Sequence, residues 1–553
     1  MHLPTNNQVG QALAPANLFS APSASSVPSG FDFASLRVFL RVLRASASST
    51  PTRRTFLAAV STALLPATQP PDPETFRHYI EDFNRTFPEE VVNSIPDAQA
   101  WNWMQANIPF FACPDREIEQ LYYYRWWAFR KHIKETPAGL IVTEFLKPVK
   151  HAAEYNALSC ALGHHIAEGR WLRDPRYLDG DIHYWLHAAK TLHQFSGWTA
   201  WALYDRWLAD ARREALVSQL DALLADYADW DRERLTPSGL YWQRDVSDGM
   251  ESSISGGRNV RNIRPSINSY MYGNAKAIAA IAEMAGRRAV AADYRAKAAR
   301  LKDLLQQHLW NRDARFFETR RESGEFAPVR ELIGYTPWYF DLPDRGRGYE
   351  VAWKQLVDPQ GFYAPYGPTT AERRNPGFQV PYEGDDCQWN GPSWPFATTI
   401  TLKALANVPN VSRRDWFETF RIYTKSQHLK LEDGRIVPFV DEDLNPLTGE
   451  WLARAMKIRK KTFYGRGDHY NHSGYTDLVI TGLAGLRPRA DSTVEVSPLL
   501  PPGKWDWFSL DRIPYHGRSL TIAWEKSSGL RVLADGREIA RSKELTRITG
   551  QLS

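Results

Sequence analysis

The chain reads as an all-α toroid of paired helices, an (α/α) barrel, followed by a small antiparallel β element. Three observations predict this. Segments with helical periodicity recur from about residue 118 to residue 486. Long loops rich in Gly, Pro, Trp, Asp and Arg separate them at alternate junctions. After about residue 490 the pattern changes to alternation of apolar and polar residues, split by turns.

The predicted helices cover 118–134, 149–166, 181–195, 200–230, 269–285, 288–309, 349–356, 394–406, 413–427 and 472–486. Leu220, Leu223, Leu224 and Tyr227, with Leu216 a turn earlier, give one apolar face. In such a barrel the loops collect at one end and form a pocket. Predicted strands cover 493–496, 505–510, 520–524 and 530–533, with Pro-Pro-Gly-Lys, Tyr-His-Gly and Ala-Asp-Gly turns between them. A β element of roughly 60 residues is small to stand alone, so it is expected to pack on the barrel. The expected organisation is a leader over 1–71, a catalytic barrel over 72–490 and a β domain over 491–553.

The leader differs from the rest in being rich in Ala, Ser and Pro, with Asp32 as its one acid. Thr52-Arg53-Arg54-Thr55-Phe56-Leu57 precedes the apolar run 58–65 and then Pro66-Ala67-Thr68. That order is the layout of a twin-arginine export signal, which predicts a periplasmic or secreted protein; an organellar transit peptide is the alternative. The apolar run is too short to span a bilayer.

Composition excludes several classes. A net charge of +5 over 553 residues leaves no dominant acidic tail or nucleic-acid stripe. Cys113, Cys160 and Cys387 are far apart and odd in number, so no disulfide framework or CxxC metal pattern is expected. His164-His165 and the pair His469 and His472 lack the HExxH spacing of a zinc site, and no phosphate-binding loop, dinucleotide fingerprint or GxSxG elbow occurs. No metal and no cofactor is expected. The 21 Trp residues suit either a large aromatic core or a sugar-stacking pocket, and only the second would make a small-molecule or oligosaccharide substrate the expected partner.

Four segments are candidates for chemistry. In Asp245-Val246-Ser247-Asp248-Gly249-Met250-Glu251-Ser252-Ser253, carboxylates flank a glycine between two predicted helices. Cleaving a glycosidic bond needs one protonated carboxyl at the leaving oxygen and a second carboxylate across the sugar, and Glu251 or Asp248 supplies one. Asp441-Glu442-Asp443 precedes the turn Asn445-Pro446 and offers another. Trp389-Asn390-Gly391-Pro392-Ser393-Trp394 would make an apolar wall with polar teeth, with Pro395 suited to a first helical turn. The aromatic run 122–132 reads mainly as a core helix with basic ends, although Arg125 and Trp126 could face a pocket.

Three of these segments, in this order, resemble the motifs of glycoside hydrolase family 63 and its trehalase-like (α/α)6 relatives, most closely the mannosylglycerate-hydrolase-like group. Gly249-Met250-Glu251-Ser252-Ser253 matches the acid motif, with Glu where Asp is usual. Trp389-Asn390-Gly391-Pro392-Ser393-Trp394 matches the Trp-x-Gly-Pro-x-Trp pocket motif, with Asn390 where Arg is common. Glu442-Asp443-Leu444-Asn445-Pro446-Leu447-Thr448-Gly449 matches the base motif. The resemblance covers roughly residues 72–490 and implies an (α/α)6 six-hairpin glycosidase. It further implies inversion without a cofactor, and the expected enzyme is an exo-acting α-glycosidase with Glu251 as general acid and Glu442 as general base. Asp248, Arg264, Asn268, Tyr270, Trp389, Asn390, Trp394 and His469 are the expected substrate-binding wall. Two rivals remain at this level: a carbohydrate-binding toroid that has lost catalysis, motivated by Glu251 in place of Asp, and a polysaccharide lyase on the same barrel.

Overall fold

The computed structural model describes residues 71–380, 387–459 and 467–552. Six helical segments touch in a closed circuit: Leu162–Gly169, Thr199–Asp210, Pro265–Met284, Thr336–Tyr339, Pro395–Ala406 and Tyr475–Leu478, with the last returning to the first. Further helices pack outside this circuit. Leu220–Arg234 and Arg288–His308 lie against Pro265–Met284, Arg413–Ser426 lies against Pro395–Ala406, and Arg116–His132 contacts both Arg413–Ser426 and Tyr475–Leu478. This is the (α/α)6 toroid.

Sequence explains which helix goes where. Pro265–Met284 and Pro395–Ala406 are uncharged over nearly their whole length and are buried on almost every face, as suits helices enclosed by others. Each starts with Pro at its first position, where the missing N–H costs no hydrogen bond. Arg288–His308 instead buries a single stripe, Ala291, Tyr294, Ala298, Leu301 and Leu305, and keeps its charges outward. Arg116–His132 is held at its start by Asp115, whose carboxylate accepts the Ile118 N–H. Its Tyr122, Tyr123, Tyr124, Trp126 and Trp127 are all in the core.

The predicted helix over 200–230 is broken. Ala211 adopts φ +55°, so the chain forms Thr199–Asp210, Arg213–Val217 and Leu220–Arg234 instead. The Asp210 carboxylate accepts the Arg212 N–H and the Arg206 guanidinium, which fixes the corner. Residues predicted helical over 149–166 form α-helix only from Leu162, after a 3-10 turn at Glu154–Asn156, and 349–356 is a 3-10 helix, Tyr349–Gln355.

Four outer helices are each followed by a short antiparallel pair: Ile133–Thr136 with Gly139–Val142, Trp242–Gln243 with Asn262–Ile263, Trp310–Asn311 with Phe316–Phe317, and His428–Lys430 with Ile436–Pro438. Each predicted C-terminal strand has a counterpart, and two more strands follow them. Trp507–Tyr515, Arg518–Glu525, Gly529–Ala534 and Arg537–Ser542 form an antiparallel sheet whose edge is completed by Phe110–Ala112 from the start of the toroid. The His516 N–H donates to the Ala209 carbonyl at 2.9 Å, a second tie between sheet and barrel.

Ala211 is exposed and sits in a backbone region that costs an L-residue with a Cβ roughly 1–2 kcal/mol. Ala211→Gly is therefore expected to stabilise the protein by about 0.5–1 kcal/mol in denaturant unfolding, after the extra chain entropy of glycine is subtracted.

Candidate functional site

The loops ahead of the circuit helices enclose a cavity of about 350 Å³. Cys160 comes from before Leu162–Gly169, Phe195 from before Thr199–Asp210, and Glu251 from before Pro265–Met284. Trp389 and Trp394 come from before Pro395–Ala406, and Tyr470 and His472 from before Tyr475–Leu478. The cavity thus faces helix N-termini, where backbone N–H groups point outward and partial positive charge favours anions.

Three glutamates line it: Glu144, Glu251 and Glu442. Each is delivered by one of the short β pairs. Glu144 follows Gly139–Val142, Glu251 lies in the loop between Trp242–Gln243 and Asn262–Ile263, and Glu442 follows Ile436–Pro438.

The Glu251 loop is folded around a buried guanidinium. Arg264, immediately before the first residue of Pro265–Met284, donates through Nε to Asp248 Oδ2 at 2.8 Å, bonds Asp245 Oδ1 through Nη1, and places Nη2 2.9 Å from Met250 Sδ. Its side chain and those of Asp245 and Asp248 are essentially inaccessible. Burial alone would lower the Arg264 pKa, but Asp245 and Asp248 more than offset this and hold the guanidinium charged. Ser253 Oγ donates to Asp245 at 2.7 Å, and Glu331 accepts the Ile254 and Ser255 N–H groups at 2.9 and 3.0 Å. Gly249 sits at φ +72°, and a Cβ there would lie 3.2 Å from Cys160 Sγ, so the turn into Met250 and Glu251 requires glycine.

Backbone bonds join the three motif segments. The Trp389 N–H donates to the Ser252 carbonyl at 2.9 Å, while Ser393 and Leu444 exchange N–H···O bonds of 2.9 and 3.0 Å. The Trp389–Trp394 segment is therefore fastened on one side to the Glu251 loop and on the other to the Glu442 loop. The two indoles stack at 4.6 Å with 15° between planes, and Trp394 Nε1 donates to the Gln388 carbonyl. Beyond Glu442, the Asn445 side chain accepts the Leu447 N–H at 2.9 Å and Gly449 turns at φ +80°, so the rest of that motif is a turn scaffold.

Glu442 is 2% exposed, and Cys387 Sγ donates to its Oε2 at 3.3 Å. Burial, with Glu442 and Glu251 nearby, pushes the Cys387 thiol well up, so it remains a donor. Glu144 is 3% exposed and accepts the Tyr470 hydroxyl. Burial pushes its carboxyl up to about 8, against the pull of the Tyr470 bond and helped by the charges of Glu442 and Glu251. Its Oε2 has no hydrogen-bond partner among the described residues, and neither has either ring nitrogen of His472. Burial holds the His472 imidazole neutral. A sugar hydroxyl is the kind of group these atoms can bind.

Of the expected substrate wall, Asp248, Trp389 and Trp394 line the cavity. Tyr270 borders a void of about 10 Å³ behind Asp248 and Trp389. The structure does not bring the other four to the cavity lining. Arg264 is consumed by its carboxylate partners. Asn268 bonds the Tyr241 N–H and the Tyr241 and Arg264 carbonyls at 2.8 Å each. Asn390 sits in the helix-entry turn, its carbonyl accepting the Gln379 N–H. His469 is packed against Phe87 and Trp127, with Nδ1 2.7 Å from the Tyr124 hydroxyl. Arg125, which could have faced a pocket, is buried against Glu168, Gln427 and Ser473. Glu144, Tyr470, His472, Cys160 and Cys387 also line the cavity and lie outside the expected substrate wall. Glu144 carries one signal, an acid in a stretch over 140–146 that is apolar apart from it and Thr143.

Residues 154–473 match the family model of the mannosylglycerate hydrolase MGH1-like glycoside hydrolase domain. The chain belongs to this glycoside hydrolase family. Residues 486–539 match the C-terminal domain of glycosyl hydrolase family 65. A solved structure named "Sialidase" is 45% identical over 87% of this chain, with a TM-score of 0.82, and the chain spans 45% of that longer protein. The family 78 rhamnosidase of Bacillus sp. GL1 shares the fold at 13% identity and a TM-score of 0.52, over 77% of this chain and 41% of the rhamnosidase. The family 63 mannosylglycerate hydrolase of Thermus thermophilus is 14% identical over 65% of this chain and 99% of its own, with a TM-score of 0.46. The expected family and fold are borne out. Among the described residues, no helix is long and apolar enough to cross a membrane.

Two predictions concern the buried ionisable groups. Arg264→Leu leaves Asp245 and Asp248 buried without their cation and should cost about 3–5 kcal/mol of stability in denaturant unfolding. Native Glu144 keeps its proton up to about pH 8, whereas the unfolded chain releases it near the ordinary value of 4.5. The native state therefore holds the extra proton between these values, and this residue's contribution to stability is lost as pH rises through about 8. The melting temperature of Glu144→Gln, measured relative to wild type, should rise between pH 5 and pH 8.

Proposed function

We propose that the protein cleaves an α-linked sugar from the end of its substrate by inversion, with Glu251 as general acid and Glu442 as general base. The observation that carries this reading is the backbone fastening of the Trp389–Trp394 segment to both glutamate loops, with both glutamates lining one cavity. Inversion needs an acid at the leaving oxygen and a base that activates water on the opposite face, with the carboxyls roughly 6.5–9.5 Å apart. The stacked indoles offer an apolar face for a sugar ring. Asp248, the protonated Glu144 and the neutral His472 supply hydroxyl partners. The cavity is of a size for one or two sugar units, which favours exo action. Export of the protein is proposed on the arginine pair Arg53-Arg54 and the apolar run after it, which lie outside the described residues.

The test begins with a substrate panel of α-glucosides, α-mannosides, trehalose and, because of the 45%-identical structure's name, sialosides. Binding without product would sink the catalytic reading, and an unsaturated product absorbing in the ultraviolet would point to a lyase. On the sugar that is turned over, Glu251→Gln and Glu442→Gln should each lower kcat by about 10³-fold or more on a poor leaving group, with folding intact. With the corresponding glycosyl fluoride, whose leaving group needs little protonation, Glu251→Gln should regain most of its loss and Glu442→Gln should not. Equal recovery of both variants would contradict the division of roles.

A further inference from the structure

A second site emerges around Trp242, on the strand that leads into the Glu251 loop. Three guanidinium groups surround its half-buried ring, with Arg234, Arg261 and Arg244 at 4.6, 4.7 and 5.9 Å from the ring centroid. None of the three, two half-buried and Arg261 exposed, has an ion-pair partner among the described residues, whereas the fully buried Arg125, Arg130, Arg170 and Arg264 are paired with carboxylates. The cations weaken one another. Burial, then the charges of Arg244 and Arg261, lower the Arg234 pKa despite the neighbouring Glu233.

Beside this cluster runs a groove of about 460 Å³, lined by Trp242, Arg261, His308, Arg320 and Arg321 among others. Glu322 is the one acid among its described lining residues. Arg320 is fixed in place, and the exposed Arg321 is tethered by one longer bond. Arg320 donates to the His308 and Gly324 carbonyls at 2.6 Å each, and Arg321 to the Ser255 carbonyl at 3.3 Å. Backbone carbonyls satisfy some of their N–H groups and leave the positive charge uncompensated. Fixed guanidinium groups of this kind bind carboxylates by paired N–H···O bonds. The groove is also continuous in sequence with the catalytic loop: Arg258 lines the cavity and Arg261, three residues later, lines the groove.

We propose that this groove binds a uronate-bearing stretch of an acidic glycan, outside the cavity where cleavage occurs. The proposal rests on the glycosidase reading above, because the enzyme's substrate would present such a chain on its leaving-group side. The carboxylates would pair with Arg261, Arg320 and Arg321, and they would relieve the mutual repulsion of the cations around Trp242. A neutral glycan of the same shape would gain neither term.

The test is native electrophoresis of the full chain through gels containing polygalacturonate, fully methyl-esterified polygalacturonate or no polymer. The wild-type protein should be retarded by polygalacturonate alone, less so as salt is raised. Arg261→Glu, at an exposed position, and Arg234→Gln should each weaken that retardation at least tenfold, relative to their own mobility without polymer. Equal retardation by the esterified polymer, or undiminished retardation of both variants, would overturn the proposal. Equally tight binding of a duplex oligonucleotide, lost in the same variants, would overturn it in favour of a general polyanion site. Retardation is read without turnover, so its failure leaves the roles of Glu251 and Glu442 standing, and their failure leaves the groove measurement intact.

Discussion

The arrangement of the site depends on one buried interaction, the guanidinium of Arg264 between the carboxylates of Asp245 and Asp248. Taking three charges out of water is expensive, and the attraction among them offsets this only when the geometry leaves few lone pairs unused. Here the cluster fixes the entry of Pro265–Met284 and folds residues 245–257 back on that entry. Ser266, at the second helical position, adds a hydroxyl bond to Asp248. Gly249, Met250 and Glu251 are carried on this clamp, so Glu251 is presented to the cavity from the loop that leads into a buried helix. An apolar cluster could supply stability at the same place, but it would not set the direction of the turn at Gly249.

Around that clamp the fold repeats a simple device. A helix outside the circuit ends in a short β pair, and the loop within or after the pair delivers a carboxyl, as for Glu144, Glu251 and Glu442. The return helix of the circuit then starts at the cavity with its N–H groups facing inward. Placing acids at helix N-termini is electrostatically favourable, while burial raises the protonated fraction of a group such as Glu144. These opposing influences let neighbouring carboxyls in one cavity hold different protonation states, which is what acid and base roles require.

Much of this was legible in the residues. Helical periodicity gave most of the helices, because their apolar stripes are imposed by packing. Alternation after residue 490 gave the C-terminal sheet. The three motifs identified the loops that the structure brings together. What was not legible has physical reasons. The break at Ala211 depends on a left-handed residue with no glycine to announce it, held by Asp210 and its arginine contacts. Phe110–Ala112 is a three-residue strand whose partner is about 400 positions away. Arg264, Asn268 and His469 look like site residues in a list of polar types, but Arg264 and Asn268 are bonded inside the protein and His469 bonds Tyr124 through Nδ1 while packed against Phe87 and Trp127. Glu144 is distant in sequence from the other two glutamates, and only the closure of the toroid places it beside them.

The most direct test of the account is the configuration of the sugar at the moment of release. If Glu442 activates water across the ring from Glu251, proton NMR of an early time course in D₂O should show the anomer opposite to that of the substrate appearing first, before mutarotation mixes the two. First release of the anomer with the substrate's own configuration would contradict the account. It would make one of the carboxyls a nucleophile and require a pair only roughly 5–5.5 Å apart.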